Sequence, residues 1–279
     1  MFNKNAFNYF FNGVNNDLCK KMFIFAIIIY EVMTEDNIKK VADILLKKEY
    51  IVALTGSGIS VASGLRTFRG VNGLWEEYNP QALEISYFYE HRAESWDWIY
   101  KLFFEPLKNA KPNAAHYALA ELENMGKLNA IITQNIDGLH QDAGSKNVIE
   151  FHGTTKNLIC TKCGTGYNRD EIDFSVLPPK CSKCGEILKP DFVFFGEMIP
   201  HKAAEYAYHH AMHCDAMLII GTSGIVMPAA DLPRIAKQNN ATLIEINLEQ
   251  HNDRFFAPDI FIQGDATVIL PKLVEEIKK

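Results

Sequence analysis

The sequence predicts an α/β fold: a doubly wound, parallel, Rossmann-like sheet with a smaller inserted module that contains a four-cysteine zinc site and a helical segment. Three observations predict it. Short apolar runs rich in β-branched residues recur from Tyr50 to Leu54, Ala130 to Ile132, Ala216 to Ile220 and Leu243 to Ile246, and each leads into a polar turn. Helical patterns lie between them, around Ala114 to Leu122 and Ala203 to Met212. Buried strands alternating with helices imply a parallel sheet with helices on both faces. Two stretches break this alternation. Residues 71–112 are rich in aromatics and look helical, and residues 154–190 hold paired cysteines with little apolar periodicity.

The 279 residues are 48% hydrophobic and 22% charged, the profile of a globular chain long enough to bury a core without disulfides. A formal net charge of −6 with no long Lys/Arg run argues against nucleic acid as the direct ligand. Residues 1–33 form an extension. Asn and Phe crowd its first part, and Lys20 and Lys21 precede the apolar run Met22 to Tyr30. That run is too short to span a bilayer, and no small-residue cleavage site follows. An interfacial anchor and a packed or disordered extension are the alternative readings of these residues, and no membrane partner is expected of the catalytic domain. The favoured reading is translation from Met33, because Thr34 can cap a helix with Glu35 and Asp36 in its first turn. Ile38, Val41, Ala42, Leu45 and Leu46 then form an apolar helical face. The catalytic domain is accordingly placed at 34–279.

In such sheets ligands bind beyond the carboxyl ends of the strands. Four polar turns lie there: Thr55-Gly56-Ser57-Gly58, Thr133-Gln134-Asn135-Ile136-Asp137-Gly138, Gly221-Thr222-Ser223-Gly224, and Asn247. Gly56-Ser57-Gly58 suggests phosphate held by backbone N–H groups. Val61 stands where a dinucleotide fingerprint wants its third glycine, which disfavours an ordinary dehydrogenase. Cys160-x-x-Cys163 and Cys181-x-x-Cys184 have the spacing of a four-thiolate zinc site. Gly164 and Gly185 follow each pair, where a knuckle benefits from positive φ. Four thiolates leave no open coordination position, so the zinc is expected to be structural. Cysteines used this way fit a reducing, cytoplasmic setting. Cys214 reads as a core residue, and Trp75, Trp96 and Trp98 as packing residues.

The chain resembles the sirtuin family from about residue 36 onward. The resemblance rests on Gly56-Ser57-Gly58-Ile59-Ser60, Thr67-Phe68-Arg69-Gly70, Gly73-Leu74-Trp75, Thr133 to His140, His152-Gly153, the cysteine quartet, Lys189-Pro190, Phe195-Gly196-Glu197, Gly221-Thr222-Ser223, Pro228-Ala229-Ala230 and Ile246-Asn247, all in the family's order. It implies an NAD-dependent protein lysine deacetylase. NAD is a consumed co-substrate, and the products are deacetylated lysine, nicotinamide and 2′-O-acetyl-ADP-ribose. The resemblance makes His152 the general base that takes a proton from a ribose hydroxyl. Asn135 and Asp137 become the nicotinamide pocket, with Asn135 counted among the catalytic residues, although Asn and Asp here can also cap the next helix. Gly56, Ser57, Gly58, Thr67, Phe68, Arg69, Gln134, Gly221, Thr222, Ser223, Asn247 and Ala266 are the implied cofactor contacts, with Ser57 replacing the family's common alanine. Val193, Phe195 and Gly196 match the strand that adds to an acyl-lysine protein substrate, and Ile136 and Phe195 line its acyl tunnel. Ile99 and Leu102 stand by position for the Tyr-x-x-Arg pair of members that remove acidic acyl groups. An uncharged acyl group is therefore expected, with Lys101 as a possible substitute cation. The alternatives are ADP-ribosyl transfer to protein and a preference for longer or acidic acyl groups. A zinc-ribbon nucleic-acid module and a non-catalytic NAD sensor are disfavoured. The oligomeric state is not read from the sequence.

Overall fold

The computed structural model describes residues 17–69, 73–251 and 254–279. The Asn- and Phe-rich residues 2–15, the Gly70 of the Thr67–Gly70 motif and the first residues of the 71–112 insertion lie outside them. The first helix, α1, spans Asp17–Leu46. It does not begin at Thr34. Neither Gly nor Pro interrupts the sequence from residue 17 to 46, so nothing breaks the backbone ladder at Met33. The expected apolar face holds for Ile38, Val41, Ala42 and Leu45, which are buried, whereas Leu46 is exposed. Among the described residues, no helix is long and apolar enough to cross a membrane.

Strand β1 (Ile51–Thr55) is buried on both faces. Ile51 and Ala53 join one core, and Val52 and Leu54 the other. The chain then builds β2 (Ala130–Thr133), β3 (Val148–Glu150), β4 (Gly153–Cys160), β5 (Gly166–Asn168), β6 (Leu188–Phe192), β7 (Ala216–Ile220), β8 (Thr242–Asn247) and β9 (Ile260–Gln263). Six of these form a parallel sheet in the order β3-β2-β1-β7-β8-β9. This is the doubly wound order, and it reverses between β1 and β7. Helices α1, α6 (Ala114–Asn124) and α10 (Ala266–Ile277) cover one face. The other face takes α8 (His201–His213) and α9 (Leu232–Gln238).

The two interruptions share a third core. Short helices α2 (Leu74–Glu77), α3 (Ile85–Glu90), α4 (Arg92–Ile99) and α5 (Glu105–Leu107) pack on an antiparallel sheet ordered β5-β4-β6. Trp96 is fully buried there and its Nε1–H donates to the Leu188 carbonyl at 2.7 Å, so it is a packing residue as expected. Cys214 is buried at the start of β7, and burial pushes its thiol up to about 12. Between α4 and α5, Tyr100–Phe104 form a π-helical turn. This wider turn changes which side chains face inward. Ile99 is buried within the module core, while Lys101, Leu102 and Phe103 line a cavity, so Leu102 occupies the expected wall position and Ile99 does not.

At the reversal the turns after β1 and β7 cross. The Gly56 N–H donates to the Ile220 carbonyl at 3.0 Å, and the Gly58 N–H to the Gly221 carbonyl at 2.8 Å. Gly221 has φ +58°, and a Cβ there would sit 2.5 Å from the Ile59 nitrogen. Replacing Gly221 with Ala adds both a left-handed strain and a backbone clash. The expected cost is about 3 kcal/mol or more in urea unfolding, against a small effect for Gly166→Ala, where a Cβ meets open space.

Candidate active site

The crossing glycine turns place the other polar turns around one crevice. Thr55 ends β1, and its Oγ1–H donates to Thr133 Oγ1 at 2.9 Å; Thr133 Oγ1 in turn accepts the Asn135 N–H at 3.0 Å. The Asn135 carboxamide is buried and donates from Nδ2 to the Gly56 carbonyl at 3.1 Å and to Ser60 Oγ at 3.2 Å. Ser60 Oγ–H donates to Asp137 Oδ2 at 2.7 Å, and the Leu139 N–H donates to Asp137 Oδ1 at 3.0 Å. Asp137 therefore binds the first N–H of the short helix α7 (Leu139–Asp142), whose cap residue is Gly138, while facing the crevice. Its burial raises the carboxyl above the ordinary range, opposed by the Leu139 and Ser60 donors.

A cavity of about 260 Å³ opens beside these groups. Its walls include Ser57, Ser60, Phe68, Asn135, Ile136 and Asp137, with Leu102, Phe103 and Lys101 from the π turn further out. Phe68 is held against Trp75 and Phe103, with ring centroids at 5.4 and 6.1 Å. Thr67 Oγ1 donates to the Arg69 carbonyl at 2.8 Å, and Arg69 itself is exposed.

Gln134 joins the two halves of the sheet: its Nε2 donates to Thr222 Oγ1 at 3.0 Å. Asn247 Nδ2 donates to the Thr222 carbonyl at 2.9 Å, and the Gly264 N–H to the Asn247 carbonyl at 2.9 Å, which ties in the turn before Ala266. Ser223 follows Thr222 on the same turn and is half-buried. His152 follows β3, with Nδ1 3.1 Å from the Gln134 carbonyl. A carbonyl only accepts, so Nδ1 carries the proton and the neutral ring has its lone pair on Nε2. Burial lowers the His152 pKa, with the Gln134 bond acting in the opposite sense.

The glycine turn departs from expectation. With the Gly56 and Gly58 N–H groups bonded to the β7 turn, neither is free to cradle phosphate, and these glycines serve close backbone approach. Phe195 also departs. Strand β6 ends at Phe192, and both the Phe195 N–H and carbonyl pair within the chain, to Leu83 and Ile85 at 2.9 Å each. Its ring leans on Trp75, is 43% exposed, and is absent from the cavity wall that Ile136 lines. The Val193 N–H donates to the His152 carbonyl at 2.9 Å. Among the described residues, the Val193 carbonyl and the Gly196 backbone stay unpaired.

Several groups escaped the sequence reading. Lys189 is buried, 3.0 Å from Glu197, whose carboxylate also accepts the Phe194 N–H at 2.9 Å, so the pair fixes the 194–197 turn. His140 Nε2 lies 3.0 Å from Thr55 Oγ1 and must donate, because the Thr55 hydroxyl proton goes to Thr133. The His116 ring packs edge-on against His140 at 4.9 Å, and its Nδ1 accepts the Asn113 N–H at 3.2 Å. Asn113 three residues before His116 at a helix start was the one available signal.

The four cysteine Sγ atoms lie within 4.8 Å of one another. Measured pairs are 3.4, 3.6 and 3.7 Å apart. A tetrahedral Zn–S₄ shell requires about 3.8 Å, and a disulfide about 2 Å. Gly164 and Gly185 have φ +71° and +75°, and each gives its N–H to the first cysteine carbonyl of its pair. The set fits a closed structural zinc site, with Tyr167 O–H 3.0 Å from Cys181 Sγ as an outer support.

Together these features define a Rossmann-type α/β protein with a polar crevice at the strand reversal and a four-cysteine ribbon inserted beside it. The Sir2 family profile matches residues 56–228, more than half the chain. NAD-dependent protein deacetylase 1 of Pyrobaculum aerophilum is 46% identical over 247 residues, covering 88% of this chain and 96% of the relative. NAD-dependent protein deacylase 2 of the same organism is 48% identical over 240 residues, covering 86% and 95%. A solved Sir2–p53 peptide–NAD⁺ complex superposes with a TM-score of 0.77 at 35% identity, covering 85% of this chain and 97% of that one. The chain belongs to the Sir2 family.

Burial holds His116 at about 4 and His140 at about 3, well below the ordinary value of about 6.5. Because the folded values are depressed, the unfolded chain binds more protons between them and 6.5, so stability falls as pH drops through that window. Urea unfolding is expected to lose on the order of 3 kcal/mol between about pH 6.5 and 4 from His116 alone, with a shallower slope in His116→Phe. Removing the metal is expected to release one zinc per chain and to unfold the ribbon, read by a zinc indicator and by lost protection of 154–192 from proteolysis.

Proposed function

We propose that this chain is an NAD-dependent protein lysine deacetylase, with NAD consumed as co-substrate and one structural zinc on Cys160, Cys163, Cys181 and Cys184. The observation that carries the reading is the buried Ser60–Asn135–Asp137 cluster on the cavity wall, with His152 tied to the adjoining Gln134 carbonyl through Nδ1. The names of the relatives and the peptide–NAD⁺ complex of a structural neighbour support it.

NAD supplies a glycosidic bond that breaks to release nicotinamide. Asn135 gives both of its recorded donations to protein, which leaves its Oδ1 to accept from a carboxamide N–H. Asp137, fixed by two donors, is the second acceptor and the counter-charge for a cationic ring. Phe68 and Ile136 cover this pocket with apolar surface and limit water access. His152 Nε2 accepts a proton from a ribose hydroxyl, and the Gln134 carbonyl stabilises the ring as it becomes cationic. Gln134, Thr222, Ser223 and Asn247, with Gly56, Ser57, Gly58, Thr67, Arg69, Gly221 and Ala266, form the rest of the cofactor wall. The Val193 carbonyl and Gly196 offer the main chain for strand addition of the acyl-lysine peptide, and Ile136 guides the acyl chain. The four-thiolate ribbon fits a reducing, cytoplasmic setting.

A second reading concerns the acyl group. The outer cavity is mostly apolar, which favours acetyl and other uncharged chains, yet Lys101 lines it with Nζ 5.7 Å from the Tyr78 ring centroid. That cation favours some activity on acidic acyl groups.

Mass spectrometry of acetyl- and succinyl-lysine peptides incubated with NAD tests both readings. Deacetylated peptide and O-acetyl-ADP-ribose in equal amounts, reduced at least a hundredfold in His152→Ala, is the expected outcome. Succinyl turnover that Lys101→Met abolishes would establish the second reading; absence of product from every peptide would sink the first. Because the His152 pKa is lowered, the acid limb of kcat/KM should have its midpoint below about 6.5, with activity lost as pH falls through it.

A further inference from the structure

A pair of exposed imidazoles stands apart from the cysteines, on the outer surface of α8 (His201–His213). His209 and His213 are one helical turn apart and therefore share a face. Both are exposed, and their ring centroids lie 4.3 Å apart with planes inclined at 33°. We infer that His209 and His213 form an exchangeable site for a divalent transition-metal ion of the imidazole-binding class, with copper(II) bound most tightly and zinc or nickel less so.

The hydrogen bonds prepare the pair for this role. His213 Nδ1 lies 2.7 Å from the His209 backbone carbonyl. The carbonyl can only accept, so this nitrogen holds the proton and Nε2 keeps its lone pair. Among the described residues, no hydrogen bond engages the His209 ring nitrogens, and that ring is free to turn toward its neighbour. Two imidazoles at i and i+4 are the spacing with which helical histidines grip one metal. Glu205 sits a further turn back on the same stripe; its largely exposed carboxylate lies 3.9 Å from His201 Nδ1 and would have to turn from it to take a third position. The neighbouring His210 plays a different part: its Nδ1 is 2.8 Å from the Tyr50 hydroxyl, which joins α8 to the residue before β1.

The site differs in kind from the cysteine quartet. Four thiolates close a tetrahedron around zinc, whereas two imidazoles leave several positions to water, so the ion exchanges readily. Affinity of such nitrogen sites for divalent ions peaks at copper(II). The site also lies away from the crevice. Asp215, two residues past His213, accepts the N–H groups of Glu49 and Tyr50 at 2.9 and 3.1 Å, which places this end of α8 at the amino ends of β1 and β7. The crevice is at their carboxyl ends. Metal here joins two adjacent turns of α8 and stabilises the folded chain by binding it alone.

The test uses the full chain with zinc retained on the cysteines. Copper(II) is titrated in and followed by calorimetry and by electron paramagnetic resonance, with zinc(II) as competitor. One saturable copper per chain beyond the cysteine-bound zinc is expected, with nitrogen coupling in its spectrum. Its affinity should fall at least tenfold in His209→Ala or in His213→Ala. The copper-induced rise in Tm should vanish in the double variant. His209→Gln and His213→Gln provide the same comparison should an alanine variant fold poorly. No saturable copper beyond the cysteine site, or equal binding in the double variants, would overturn the inference. Peptide deacetylation is expected to stay unchanged in these variants, so a missing copper site and a missing deacetylase activity are separate results.

Discussion

The close crossing of two glycine turns at the reversal between β1 and β7 is the constraint on which the rest of the site depends. Gly58 and Gly221 approach until any added Cβ would lie under 3 Å from backbone atoms of the opposite turn. That contact brings the carboxyl ends of two strands together closely enough for side chains from separate turns to meet. Gln134 can then reach Thr222, Asn247 can reach the Thr222 carbonyl, and Asn135 can reach the Gly56 carbonyl. Each bond satisfies a polar group that burial would otherwise penalise. His152 is attached to this assembly through the Gln134 carbonyl, so the orientation of its ring follows from the glycine contact two steps away.

The smaller module contributes by a different physical route. Its aromatic core supports Phe68 from the rear and supplies the apolar outer wall of the cavity. The ribbon cysteines contribute to that same core, where Cys160 and Cys181 are buried beside Leu158, Leu188 and Phe192. Lys189 and Glu197 then hold the turn that follows β6. A buried pair of this type adds little net stability, because desolvation opposes the attraction, but it disfavours other arrangements of the 194–197 backbone. Aromatic packing, the cysteine ribbon and the ion pair therefore act on one short segment, 192–197, in which the Val193 carbonyl and the Gly196 backbone are without partners among the described residues.

Much of this was legible in the sequence, for stated reasons. Strand positions were readable because both faces of a parallel sheet are buried and the apolar runs are continuous. Cysteine spacing encodes a local geometry, so the quartet and its two positive-φ glycines followed directly. What failed were features fixed by tertiary contact or by helix continuity. Thr34 has the chemistry of a cap, but a residue caps only when the preceding chain leaves the helix, and residues 17–33 do not leave it. The π turn at Tyr100–Phe104 has no signature in apolar periodicity, so the sequence gives no sign that Leu102 lines the cavity while Ile99, its partner in the replaced Tyr-x-x-Arg pair, is buried in the module core. Gly56-Ser57-Gly58 reads equally well as a phosphate cradle or a close approach; only the position of Gly221, more than 160 residues away in sequence, separates the two. His116 and His140 are single histidines within helices, and their shared burial with Thr55 exists only once α6 and α7 pack together.

Burial of this polar cluster also decides what chemistry the crevice can support. Low access to water raises Asp137 and lowers His152, so each is driven toward its neutral form before any ligand arrives. On the proposed reading, a cationic nicotinamide ring would reverse the balance at Asp137, because a positive charge close to a buried carboxyl favours its ionised state. Binding and ionisation would then be coupled, the more strongly because the surroundings are dry. At His152 the same dryness favours the neutral imidazole, the state in which Nε2 has a free lone pair for a proton. In the proposed reaction, water exclusion would protect an activated sugar from hydrolysis while also setting the charge state of Asp137 and His152. A single property of the fold, a closed polar cluster behind an aromatic wall, would then serve binding, proton transfer and selectivity against water.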